Sequence, residues 1–119
     1  MSRARALIVV VALVVFVAAG GIIIRANSGG GGANRTFSVT VSKATSMSPN
    51  TLQAHVNDSI TIDVRSDEDG EVHLHVYNIA FDVTAGQTTS HTFKADRTCT
   101  CDIEWEETGQ PLGTLVVSP

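Results

Sequence analysis

A two-residue rhythm constrains this chain more than any other feature. Phe37, Val39 and Val41 alternate with Ser38, Thr40 and Ser42, and Ile60, Ile62 and Val64 alternate with Thr61, Asp63 and Arg65. Val72, Leu74 and Val76 alternate with His73, His75 and Tyr77, and Cys99, Cys101, Ile103 and Trp105 with Thr98, Thr100, Asp102 and Glu104. Apolar side chains at every second position belong on one face of a half-buried strand. No segment after residue 36 carries a helical period. Ser48-Pro49-Asn50, Asn57-Asp58, Asp67-Glu68-Asp69-Gly70, Ala85-Gly86-Gln87 and Gly109-Gln110-Pro111 break the rhythm with turn-forming residues. Leu52, Ile79, Thr88 and Leu112 open further short runs of strand character. Seven or eight strands separated this way predict an all-β domain, a Greek-key β-sandwich.

The N-terminal part has a different character. Arg3 and Arg5 precede an uncharged run of 19 residues, 6–24, and Arg25 follows it. A helix of that length covers about 28 Å, close to the thickness of a bilayer core. A cleaved signal peptide is the competing reading. However, Ile22-Ile23-Ile24 behind the small residues Ala18-Ala19-Gly20 makes an unusual mature start, and no cysteine follows the run for lipid attachment. The expected layout is a cytoplasmic N-terminus (1–5), a transmembrane helix (6–24), a glycine-rich linker (25–35) and one folded domain (36–119). With the arginines inside, the protein would be single-pass in the cell membrane, its C-terminal domain extracytoplasmic.

Within 36–119, Lys43, Arg65, Lys94 and Arg97 stand against all twelve acidic residues, a net charge of −8. Such a surface disfavours nucleic acid and suits a cation or a basic partner. Asp67-Glu68-Asp69-Gly70 falls far short of a calcium loop. There is no nucleophile elbow, phosphate-cradling loop or zinc-protease helix, and the glycines at 29–32 lack the strand-to-helix context of a nucleotide site. The chain is read as a binding protein and not an enzyme.

The chemistry is concentrated in 71–105, which holds three of the four histidines and both cysteines. Imidazole and thiolate are ligands for copper and zinc. His73 and His75 share a strand face about 7 Å apart, where they can hold a metal together or stand as strand histidines facing a partner. His55 and His91 have no partner evident in the sequence. Cys99 and Cys101 also share a face, at a spacing too wide for good disulfide geometry on a regular strand. They are read as small core residues or soft-metal ligands, not as a disulfide. Glu104, Glu106 and Glu107 form an acidic run that by default is a solvated face, with Glu107 as a possible supporting ligand.

Three stretches carry a resemblance. Asn57-Asp58-Ser59-Ile60-Thr61-Ile62 is similar to a Gly-Asp-x-hydrophobic strand entry, with Asn57 in the glycine's place. Glu71-Val72-His73-Leu74-His75-Val76-Tyr77, followed by Asp82-Val83-Thr84-Ala85-Gly86, resembles an Asp-x-x-His-x-aromatic … Pro-Gly stretch. Gly113-Thr114-Leu115-Val116-Val117 resembles a closing strand. Together they resemble the cupredoxin-like domain family, in the membrane-anchored single-domain type of actinobacteria. The resemblance implies a copper site of one upstream histidine (His75 or His73) plus a cysteine, a histidine and a methionine in the loop before the last strand. Cys101 falls near the cysteine's place. The intervening DIEWEETGQPL has neither histidine nor methionine. Glu106 or Glu107 stands near the one position, and Gln110 or Pro111 near the other. The cysteine spacing of a binuclear site is missing as well. The expectation is therefore a membrane-tethered cupredoxin-like binding domain, engaging an envelope protein or a metal ion, and not a blue-copper electron carrier. The alternative is copper or another transition metal held by His73, His75 and Cys101, with Cys99 or Glu107 assisting, for delivery, sequestration or electron transfer. A purely structural envelope domain is a third reading.

Overall fold

The structure is a computed structural model and describes residues 22–26 and 32–119. The described strands are β1 (Ile22–Ala26), β2 (Ala33–Ser42), β3 (Ser46–Ser48), β4 (Thr51–His55), β5 (Ser59–Ser66), β6 (Gly70–Leu74), β7 (Ile79–Val83), β8 (Thr88–Lys94), β9 (Cys99–Trp105) and β10 (Gln110–Ser118). They form two sheets. Sheet A runs β1-β2-β5-β8, with β3 also paired to β2, and sheet B runs β4-β10-β9-β6-β7. Each sheet contains one parallel pair, β2 with β5 and β4 with β10, among antiparallel neighbours.

The two-residue rhythm is what closes the sandwich. Phe37, Val39 and Val41 of β2 and Ile60, Ile62 and Val64 of β5 face Leu52, Val72, Leu74, Phe81, Cys101, Ile103, Trp105 and Leu115 across the interior, all buried. At about 25 cal/mol per Å² of apolar surface removed from water, this two-layer core is the main favourable contribution to folding. At Gly70 a Cβ would come within 2.1 Å of the Trp105 ring, so the turn before β6 ends in the one residue that leaves room for the indole. The ladder between β9 and β10 shifts register between Pro111 and Gly113, a bulge beside a residue that has no N–H to give.

One end of the sandwich is gathered on Asp58. This carboxylate is 2 % exposed. It accepts the Ala33 N–H at 2.8 Å and the His55 N–H at 2.8 Å, and it pairs with the Arg35 guanidinium. Its backbone carbonyl accepts the Ala95 N–H at 2.8 Å. The starts of β2 and β5 and the ends of β4 and β8 thus meet at one residue. Burial, the largest influence on its acidity, works against the charge. The two amides and Arg35 more than offset it and hold the carboxyl below its usual value. Asn57, in the place expected for a glycine, has φ +80°, the left-handed conformation that asparagine tolerates better than most residues.

The structure departs from expectation in three places. Val76, expected on the inward face with Val72 and Leu74, lies in the turn after β6 with left-handed backbone and is 50 % exposed. Ile22–Ile24, expected at the end of an apolar helix, belong to β1, whose residues pair with Ala33 to Phe37 of β2. The glycine-rich run therefore joins two hydrogen-bonded strands, and β2 begins inside the expected linker. Residues 1–21, where the rest of the expected membrane segment falls, lie outside the described residues. Cys99 and Cys101, expected unpaired, are joined as a disulfide. Their Cα atoms are only 5.4 Å apart, closer than the roughly 7 Å of a regular strand, because β9 contracts locally.

Candidate metal centre

The outward positions of sheet B carry the chemistry. Along β6, Val72 and Leu74 point into the core, so Glu71, His73 and His75 point out. Along β9, Cys101, Ile103 and Trp105 point in, so Asp102, Glu104 and Glu106 point out. Antiparallel pairing sets His73 opposite Glu104. It continues past both strand ends through the Glu106 N–H donating to the Glu71 carbonyl (2.9 Å) and the His75 N–H donating to the Asp102 carbonyl (2.9 Å). None of the five strands of sheet B contains a lysine or arginine.

His73 and His75 stack with ring centroids 4.6 Å apart and planes 27° from parallel. His75 Nε2 lies 2.6 Å from Glu104 Oε1. His73 Nδ1 lies 2.9 Å from Glu106 Oε1, and its Nε2 lies 2.9 Å from Asn78 Oδ1. The Glu106 carboxylate, and after it Asn78, raise the His73 pKa above its usual value. Asn78 reaches the ring because the turn after β6 takes left-handed backbone at Val76 (φ +73°) and at Asn78 itself (φ +56°). The Tyr77 hydroxyl pins that turn by donating to the Arg97 carbonyl at 2.7 Å. One ligand atom each from Glu71, His73 and Glu106 lie within 4.8 Å of one another.

Of the residues singled out in the sequence, His73 and His75 come together. Cys99 and Cys101 do not join them. They sit on the inward side of β9, and Cys101 is fully buried, so the sheet itself separates sulfur from imidazole. As a disulfide the pair offers no thiolate. Glu107 accepts the Glu71 N–H at 3.2 Å and stands outside the three-residue group. His55 Nδ1 faces Arg35 Nη2 at 3.1 Å, and His91 meets the Phe81 ring edge-on. Sequence reading passed over Glu71, and it set Glu106 near a ligand position without bringing it to His73. Glu71 was recoverable, since it shares the period of His73 and His75. The contact of Glu106 with His73 was not, since only the pairing of β6 with β9 brings the two together.

The geometry does not fit a blue-copper centre. That centre needs a thiolate, two imidazoles and a weak axial ligand converging from the loop before the last strand. Here the turn Glu106-Glu107-Thr108-Gly109 offers carboxylates and a hydroxyl, and the sulfurs are consumed by each other.

No family model matches the chain, and no curated protein does. Solved structures do match. A copper binding protein in its apo form, determined in solution by NMR, superposes with a TM-score of 0.63 at 8 % identity, covering 79 % of this chain and 93 % of that one. A chain of a heme-copper terminal oxidase dimer, determined by cryo-electron microscopy, superposes with a TM-score of 0.63 at 13 % identity, covering 98 % of this chain and 96 % of that one. The fold is cupredoxin-like. At these identities the likeness extends to the architecture alone.

Proposed function

We propose that this protein is an extracytoplasmic cupredoxin-like binding domain of the actinobacterial, membrane-anchored type, held at the cell surface by its N-terminal segment. It engages its ligand through the outer face of sheet B. It is a binding protein and neither an enzyme nor a blue-copper electron carrier. The observation that carries the reading is the division of sheet B into two chemistries. Imidazoles and carboxylates lie outside, while both sulfurs lie inside and are bonded to each other. A face bearing Glu71, Asp82, Asp102, Glu104 and Glu106, in strands with no lysine or arginine, favours a cation or a basic segment of an envelope protein.

The test is a Cu(II) titration of the oxidised protein followed by visible absorption. No intense thiolate-to-copper band is expected. Such a band would overturn the reading, because it requires a sulfur free to bind.

A second reading, handling of copper or another transition metal, is favoured by the closeness of Glu71, His73 and Glu106. On this reading the ligands are outward oxygen and nitrogen atoms, and the function is delivery or sequestration.

A further inference from the structure

We propose that Glu71, His73 and Glu106 form a three-ligand site for a borderline divalent ion, with zinc as the probe, on the outer face of sheet B. The proposal rests on the reading of that face as the binding surface.

The orientation of His73 is the first argument. Asn78 Oδ1 can only accept, so at 2.9 Å it takes the proton of His73 Nε2. In the neutral ring the Nδ1 lone pair then points at Glu106 Oε1, 2.9 Å away, which is also an acceptor. A proton on Nδ1 bridges the two in the free protein, and a divalent ion can take that proton's place between them. An imidazole held on its far nitrogen by an oxygen, with its near nitrogen presented, is the arrangement that outer-shell partners impose on metal-binding histidines. His75, stacked on the ring at 4.6 Å, restricts the remaining rotation. It acts as a positioning residue, while its own Nε2 is engaged by Glu104.

The second argument is size and charge. Ligand atoms about 2.05 Å from a tetrahedral zinc lie about 3.3 Å from one another. The His73–Glu106 pair is already closer than this, and the widest separation in the group is under 4.8 Å. Glu106, whose side chain is 46 % exposed, has room to move back from His73 as an ion enters. Two carboxylates neutralise a dication, and three protein ligands leave a fourth position open to water or to a donor from a partner. An imidazole among the ligands selects against calcium and magnesium, which take oxygen. The lack of sulfur selects against Cu(I).

The experiment is calorimetric titration of the full chain in detergent micelles with zinc chloride, backed by zinc X-ray absorption. One equivalent should bind, with nitrogen and oxygen neighbours only. His73→Gln, Glu71→Gln and Glu106→Gln should each weaken binding at least tenfold. Asn78→Gly, which keeps the turn's backbone and removes the outer-shell oxygen, should weaken it about tenfold. Glu107→Gln should leave it unchanged. All five positions are at the surface, and circular dichroism of each variant checks its fold. No saturable binding, sulfur in the metal's shell, or an affinity indifferent to His73→Gln would overturn the site. If zinc fails and copper still gives no thiolate band, the zinc site falls and the outer-face reading stands. If the band appears, both fall.

Discussion

Replacing Asp58 by alanine tests whether the sandwich is held at one end by a buried charge. The change removes the acceptor for the Ala33 and His55 amides and leaves the Arg35 guanidinium, itself largely buried, without its partner. Breaking a buried pair from one side costs about 3–5 kcal/mol, most of it the penalty on the charge left behind. For a domain of this size each kcal/mol lowers the Tm by about 4–8 °C. A fall of at least about 12 °C is therefore expected. The assay is thermal unfolding followed by the fluorescence of Trp105, the single tryptophan, which is buried in the core. Asp58→Asn keeps the shape and one acceptor oxygen and should fall between the two. The exposed Asp96, paired with Arg97 at the surface, serves as a control whose alanine variant should melt like the parent. Asp58 also contributes to the acid limb. Because its folded pKa lies below the unfolded value, its contribution is complete above about pH 4 and is lost as pH falls through the folded pKa. The Asp58→Ala variant should lose part of that acid sensitivity. A loss under about 1 kcal/mol, with an unchanged acid limb, would refute the idea that this carboxylate clasps the strand ends.

Three further outcomes are expected. Gly70→Ala should cost about 1–3 kcal/mol in urea unfolding, because the added methyl meets a buried indole that has nowhere to go; an unchanged midpoint would show that the ring can shift. Reducing the Cys99–Cys101 bond should cost only about 1.6 kcal/mol, since the closed loop spans three residues, and should leave the fold intact by circular dichroism; unfolding on reduction would contradict this. A chain beginning at residue 32 should stay folded, yet exchange its amides between Asn34 and Phe37 faster than the full chain, because β2 loses its neighbour there; equal protection would show that β1 contributes no cover.

Much of the architecture was legible in the alternation of residues. The runs at Phe37, Ile60, Val72 and Ile103 predicted both that these segments are strands and which side of each is buried, up to Val76, where the alternation continues past the end of β6 onto an exposed residue. Asn57-Asp58 marked the turn into β5, and its left-handed backbone came from the structure. What escaped was non-local or lay below the resolution of a pattern. Ile22-Ile23-Ile24 has no alternation, and only its pairing with β2 makes it a strand. The closeness of Glu106 to His73 depends on which strands are neighbours, a choice made by the whole core. The Cys99–Cys101 bond escaped because ideal strand spacing argues against it, and β9 departs from that spacing. The same inward alternation that identified Cys101 as a core residue already placed it away from the outward histidines.

The hairpin at the chain's start has a mechanical consequence. On the proposed membrane-anchored reading, a pull on the protein loads β1 at its open end, where Ile22 meets Phe37. Loaded there, the ladder peels one residue pair at a time instead of shearing all at once. Peeling would release residues 22–32, roughly 35–40 Å of extended chain, while the Asp58 clasp and the core remain closed. On this view β1 is a length of rope coiled against the domain it secures. Its amides should then exchange far faster than those of β5, and equal protection in the two strands would mean that the rope is never paid out.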